Sequence, residues 1–174
     1  MNVVGKLGAV AALALSLGFP SSTGSAVTLT DQFNVQITIN AFCQFVGATA
    51  PDIDFGTHNT LNASPTDQPS AFKVQCNNAL PYRIGLNAGN GVGATTTTRK
   101  MTGPGSATIN YQLFQDAART TNWGNDLAGG TDTVNGTGDG LAAGQSYTIH
   151  AHVPIQTTPA AGTYTDTVTL TVQY

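Results

Sequence analysis

The sequence predicts an all-β protein, and three observations carry that expectation. Charge is scarce: Lys+Arg total 6 and Asp+Glu 9 in 174 residues, and every acid is Asp. Solvent-facing helices normally carry Glu and Lys, whereas here Thr, Asn, Gln and Gly take the polar positions, which suits sheet surfaces and turns. Apolar residues recur with period two between Gly- and Asn-rich breaks, and no stretch repeats convincingly with period 3.6. The same composition excludes two function classes. Six basic residues along the whole chain cannot build a phosphate-neutralising patch, so nucleic acid is not expected as a partner. A chain that is 40% hydrophobic and 9% charged is not a disordered tail.

The elements follow in chain order. Residues 1–26 read as a secretory signal peptide: Lys6, the apolar run Leu7 to Leu17, Gly18 and Pro20, then Ser-Ser-Thr-Gly-Ser-Ala with cleavage expected after Ala26. The apolar run has about 11 residues against the roughly 20 of a spanning helix, and no later run is longer, so no membrane insertion is expected. Loss of Lys6 moves the net charge from -3 to about -4. About 150 residues remain, one domain by length. In an oxidising compartment two cysteines read as a disulfide, and Cys43 with Cys76 is the bridge available.

From Val27 the apolar residues Leu29, Phe33, Val35, Ile37, Ile39, Ala41, Cys43 and Phe45 fall on odd positions, broken only by Asp31. At about 3.3 Å per residue this run would extend some 60 Å, roughly three times a usual strand. Either it bends near Asp31 or Asn40, or its first half leaves the domain and pairs elsewhere. Left unpaired it would be an aggregation hazard. Further strands are expected around Phe72, Val74 and Cys76; Tyr82, Ile84 and Leu86; Ile109, Tyr111 and Leu113; Tyr147 through Ile155; and Val168, Leu170, Val172 and Tyr174. Asn87–Gly93, Gly103–Gly105 and the long low-complexity stretch Asn125–Gly144 read as loops, and Gln115–Arg119 as a possible single helical turn. The last run reaches Tyr174 with no closing hairpin after it. That predicts an open sheet edge, and an apolar strand offered at one end with an open edge at the other predicts head-to-tail addition, which grows a fibre because the two surfaces differ.

Several motifs are then identified: Ile-Asn-Ala-Phe-Cys (39–43), Ile-Asp-Phe-Gly (53–56), Phe-Lys-Val-Gln-Cys (72–76), Leu-Asn-Ala-Gly (86–89), Arg-Lys-Met (99–101), Tyr-Gln-Leu-Phe-Gln-Asp-Ala-Ala-Arg-Thr (111–120), Trp-Gly (123–124) and the ending Ala-Gly-Thr-Tyr-Thr-Asp-Thr-Val-Thr-Leu-Thr-Val-Gln-Tyr (161–174). In this order, with the cysteine pair, the chain resembles the spore coat protein U-like domains, which include the pilins of archaic, Csu-like chaperone-usher pili. The resemblance implies an incomplete immunoglobulin-like β-sandwich lacking its last strand and completed by a donor strand. It divides the chain into a signal peptide (1–26), an N-terminal donor strand (27–38) and a pilin domain (39–174). Leu29, Phe33, Val35 and Ile37 would be the donor side chains, with Asp31 a departure from the simplest donor pattern. Val168, Leu170, Val172 and Tyr174 would line the acceptor groove and form the edge a periplasmic chaperone grips. Cys43 would tie the first strand of the sandwich to the end of the second through Cys76. The implied partners are identical or related pilin subunits, the chaperone and an outer-membrane usher, and the implied destination is the cell surface, with a role in adhesion or biofilm. One domain with a donor strand resembles a shaft or adaptor subunit more than a two-domain tip adhesin.

Chemical readings compete less well. His150 and His152 share a strand face, yet the alternation turns them outward and no third ligand is in view, so no metal or other cofactor is expected. Asp52 and Asp54 could form a glycosidase-like carboxylate pair, but they read as the solvated side of a short strand beside Phe55. Gly89, Gly91 and Gly93 lack the Lys-Ser or Lys-Thr pair and the helix of a phosphate loop. Ser106 lacks nucleophile-elbow spacing. Trp123 could offer a sugar-stacking platform, with packing over the end of the sandwich as the plainer reading. The alternatives to a fibre subunit are therefore a coat protein closed on its own N-terminal strand and a carbohydrate-binding module centred on Trp123; an enzyme is not expected.

Overall fold

Alternation in the sequence becomes alternation in burial along every long strand. The computed structural model describes residues 24–47, 52–141 and 143–174, so that the predicted export signal up to residue 23 lies outside the described residues. The chain divides into two units, Met1–Thr38 and Ile39–Tyr174. In the first, residues 24–38 have no regular secondary structure and every side chain is exposed. The long alternating run is thus not one strand. Its last three residues alone, Cys43–Phe45, enter a sheet.

The second unit is built from β1 (Cys43–Phe45), β2 (Thr66–Cys76), β3 (Pro81–Leu86), β4 (Arg99–Thr102), β5 (Thr108–Phe114), β6 (Val134–Thr137), β7 (Gln145–Val153) and β8 (Leu170–Gln173), with a short 3-10 turn at Pro104–Ser106. Five strands form one sheet in the order β1-β2-β7-β5-β4 and three form the other in the order β6-β3-β8. All pairings are antiparallel. This is an all-β, immunoglobulin-like two-sheet sandwich, as the sequence predicts.

The inward residues of both sheets make one core. Phe72, Val74 and Cys76 from β2 meet Ile149, Ala151 and Val153 from β7, Tyr111 and Leu113 from β5, and Tyr82, Ile84 and Leu86 from β3, all buried. Trp123 is 1% exposed, and its indole N–H donates to Ile84 O at 3.0 Å. Trp123 is therefore a core residue, which removes the sugar platform and with it the basis of the carbohydrate-binding reading. Cys43 and Cys76 are joined by a disulfide and also face each other as register partners, so the bridge staples the three-residue β1 to the end of β2.

Several elements differ from the sequence expectation. β2 begins at Thr66, several residues before the apolar alternation starts. β4 opens on the buried Arg99, a residue type that hides a strand from an apolar pattern. β6 lies inside the stretch read as a loop. Its Gly136 stands over the Tyr82 ring, and a Cβ there would come within 2.3 Å of it, so only glycine allows this strand to lie across the aromatic. β7 stops at Val153 because Pro154 cannot donate to a ladder, and Ile155 is 57% exposed instead of inward. Gln115–Arg119 is a turn closed by Arg119 N–H donating to Asp116 O at 3.0 Å, not a helix. No helix of the described residues is long and apolar enough to cross a membrane.

Candidate functional site

β8 is an edge strand, hydrogen-bonded on one side only among the described residues. The segment leading to and through it places even-numbered residues half-buried and odd-numbered residues toward solvent from Thr163 to Thr169. Val168, Leu170 and Val172 pack against the core, while Tyr174 is 54% exposed. Backbone direction alternates as well. Asn87 N–H donates to Thr169 O at 3.1 Å, and the register continues through Gly85 with Thr171 and Arg83 with Gln173. The odd residues therefore spend their backbone groups on β3, and those of Val168, Leu170 and Val172 point to the open side.

A second extended segment is also unpaired. Asp52 to Asn59 makes no backbone–backbone hydrogen bond among the described residues, yet Ile53 and Phe55 pack half-buried against the core. This segment and residues 158–164 wall one cleft of about 670 Å³, with Met101, Ile109 and Tyr164 contributing apolar lining and His58 and Thr158 polar lining. Gly103 makes room for the Tyr164 ring, since a Cβ there would lie 2.5 Å from it. The sandwich thus presents a cleft lined by half-buried apolar side chains, and at β8 an edge whose outward backbone groups are free among the described residues. An edge of this kind accepts an added strand.

The proposed donor side chains lie in the other unit. Leu29 is 96% exposed, Phe33 87%, Val35 86% and Ile37 84%, so the run presents an exposed apolar face. Asp31, the polar interruption, turns its Oδ1 back to accept from Gln32 N–H at 2.8 Å.

The remaining candidates resolve into surface structure. His152 Nδ1 lies 2.6 Å from Asp67 Oδ1, and the Asp67 carboxylate also meets Arg119 at 3.1 Å. His150 stands opposite Pro69 and Phe114, and no group of three metal-ligating side chains occurs among the described residues. Asp54 Oδ1 accepts from Gly56 N–H at 2.8 Å, a turn cap beside Phe55, and Asp52 and Asp54 are both exposed. Gly89 to Gly93 form a loop whose Gly89 amide is held by Asn87 Oδ1 at 3.0 Å.

Sequence reasoning missed the polar network behind the open edge. Arg99 is 0% exposed and donates to the carbonyls of Asn87, Thr96, Leu86 and Trp123 at 2.7 to 2.8 Å. Burial pushes its guanidinium down to about 10. Tyr111 O–H donates to Asp166 Oδ2 at 2.7 Å, and burial, followed by this bond, raises the phenol well above its ordinary value. One signal was present: Asp166 occupies an inward, even position in the final run, where its neighbours are Tyr164 and Val168.

Fold and edge together define an immunoglobulin-like sandwich in which the free edge of β8 lies over half-buried core side chains. The chain belongs to the Spore Coat Protein U domain family, whose family model matches residues 29–171. Among solved structures it is similar to a chain of the CsuC–CsuE chaperone–tip adhesion subunit pre-assembly complex from the archaic chaperone-usher Csu pili of Acinetobacter baumannii. The two share 23% identity and superpose with a TM-score of 0.53, over 79% of this chain and 41% of that one, so this chain spans less than half of its relative's length. A search of curated proteins finds no match.

Proposed function

We propose that this chain is a structural subunit of a secreted surface fibre, a chaperone-usher pilus assembled by donor-strand complementation and serving adhesion or biofilm formation. The observation that carries the reading is the open β8 edge, where backbone groups lie free above half-buried Val168, Leu170 and Val172. Two further features support it. The segment 27–38 offers an apolar alternating face that is exposed, and the chain, a Spore Coat Protein U domain, is similar in fold to a chain of a chaperone–tip adhesion subunit complex. In this reading a periplasmic chaperone covers the edge with Val168, Leu170, Val172 and Tyr174 until, at an outer-membrane usher, Leu29, Phe33, Val35 and Ile37 of another subunit replace it. Burying four such side chains at about 1.5 to 3 kcal/mol each contributes on the order of 10 kcal/mol before ordering costs, so the joint opens slowly.

The test is gel electrophoresis of the exported chain, unboiled and boiled, with a cognate chaperone co-expressed. The expected result is a ladder of detergent-resistant oligomers that collapses on boiling and is absent when residues 27–37 are deleted. A well-folded monomer formed without any chaperone, with no ladder, would overturn the proposal in favour of a self-closed coat domain.

A further inference from the structure

The inner side of the capture edge is completed by side chains where its ladder ends. β3 supplies ladder partners down to Leu86, opposite Leu170. One residue further, Asn87 N–H still donates to Thr169 O, but the return bond is lost because Asn87 O accepts from Arg99 Nε at 2.8 Å. The Thr169 amide instead donates to the Asn87 side chain, Oδ1, at 2.8 Å. Two residues earlier the Thr167 amide donates to Asp166 Oδ1 at 2.8 Å, which also accepts from Asn90 N–H at 2.7 Å, while Tyr111 O–H holds Oδ2. Two residues earlier again, Thr165 and Thr102 exchange backbone bonds at 2.8 and 3.1 Å. Every odd-numbered amide from 165 to 169 is thus tied inward, and only the first of the three by another backbone.

We infer that Asn87 and Asp166, held in turn by Arg99 and Tyr111, are positioning residues that keep residues 165–169 extended with the outer edge bare before a strand arrives. This rests on the fibre reading above and adds to it which residues set the speed of capture. An edge that is already straight loses little conformational freedom on pairing, so preorganisation acts on association. Once the new strand is laddered in, that strand itself holds the segment, and the network contributes little to dissociation.

The test uses the full chain co-expressed with its chaperone and released from that complex as a monomer, with a dye-labelled synthetic peptide of residues 27–39 as probe. Tyr111→Phe removes one hydroxyl and Asn87→Ala one acceptor. Each should slow peptide association about tenfold, the equivalent of one hydrogen bond, and leave dissociation within about twofold of wild type. Asn87→Asp keeps Oδ1 and should restore the wild-type rate. Amide exchange on the free monomer gives a readout that needs no peptide: Thr169 should lose protection in Asn87→Ala and Thr167 in Tyr111→Phe, with Thr171 and Gln173 unchanged in both. Wild-type association in Tyr111→Phe and Asn87→Ala, or association and dissociation shifting together with thermal stability, would overturn the inference. A wild-type monomer that takes up no peptide would overturn the fibre reading itself.

Discussion

Arg99 is the residue whose surroundings depart furthest from what its type predicts. It is fully buried, lacks a directly bonded carboxylate, and is satisfied by four backbone carbonyls drawn from three separate stretches of chain. Replacing it with Met keeps most of the volume and leaves those carbonyls unpaired. The expected loss is about 3–5 kcal/mol of unfolding free energy, measured by urea titration with the slope unchanged, because breaking a buried charge-assisted network costs far more than the network nets. Two tyrosines set the response to alkaline pH. Burial raises both Tyr82 and Tyr111, and hydrogen bonds to Tyr147 and Asp166 respectively add to it. A phenol that stays neutral in the fold contributes stability that is complete below its unfolded value, near 10, and is lost as pH rises toward the folded value. Arg99 works in the opposite sense, since its lowered value makes the unfolded chain hold the extra proton from about pH 10 up to the ordinary guanidinium value. Two groups against one leave a net fall in stability above pH 10. Tyr111→Phe should flatten that fall, read as the midpoint of thermal unfolding across a pH series. An unchanged slope in that variant would remove Tyr111 from the account.

At the scale of elements, β1 is the one held least by its own ladder. Three residues pair with β2, and the disulfide to Cys76 does the rest. Cys43→Ala with Cys76→Ala opens a loop of about 33 residues, and the chain-entropy argument gives a loss of roughly 3 to 4 kcal/mol. The amides of Gln44 and Val46 should exchange first, which hydrogen exchange resolved by residue would check. What the sequence made legible follows the same logic of local against distant causes. Phe72 to Cys76, Tyr82 to Leu86, Ile109 to Leu113 and Tyr147 to Val153 declare themselves because alternation is a property of consecutive residues, and the structure places all four runs in strands. β4 and β6 were illegible for opposite reasons. Arg99 puts a charge where the pattern expects an apolar residue, and its acceptors lie at 86, 87, 96 and 123. β6 reads as a turn through its Asn135-Gly136 pair, and only the Tyr82 ring beneath explains the glycine. Of the open edge, the apolar side of β8 was legible. In Asp52–Asn59 the outward turn of Asp52 and Asp54 was legible, but that the segment stays unpaired and walls a cleft, like the Asn87–Asp166 caps, depends on contacts tens of residues apart that no periodicity carries.

For the whole molecule the governing fact is that free backbone and exposed apolar surface occur together, in a chain with a formal net charge of only -3 to keep copies apart. Such a surface must be covered, and if the cover is a strand, the outward amides of Val168, Leu170 and Val172 are where it must bond. Proline distinguishes the two sides of this strand. At 168 it removes an amide that alternation directs outward, an edge position that proline tolerates, at a cost to the fold of about 1 kcal/mol. At 169 it removes the amide that Asn87 Oδ1 accepts, and the inner side is damaged. Val168→Pro should therefore fold, form its disulfide and unfold near the wild-type temperature, while the detergent-resistant ladder shortens to monomer because the chain still donates a strand but can no longer receive one. Mixed with wild type, it should terminate growing oligomers, lowering their mean length in proportion to its fraction. Thr169→Pro should lower the unfolding temperature itself. If Val168→Pro assembled as well as wild type, the joint would not run along the outer edge of β8, and the cleft walled by Ile53 and Phe55 alone would have to hold the neighbouring subunit.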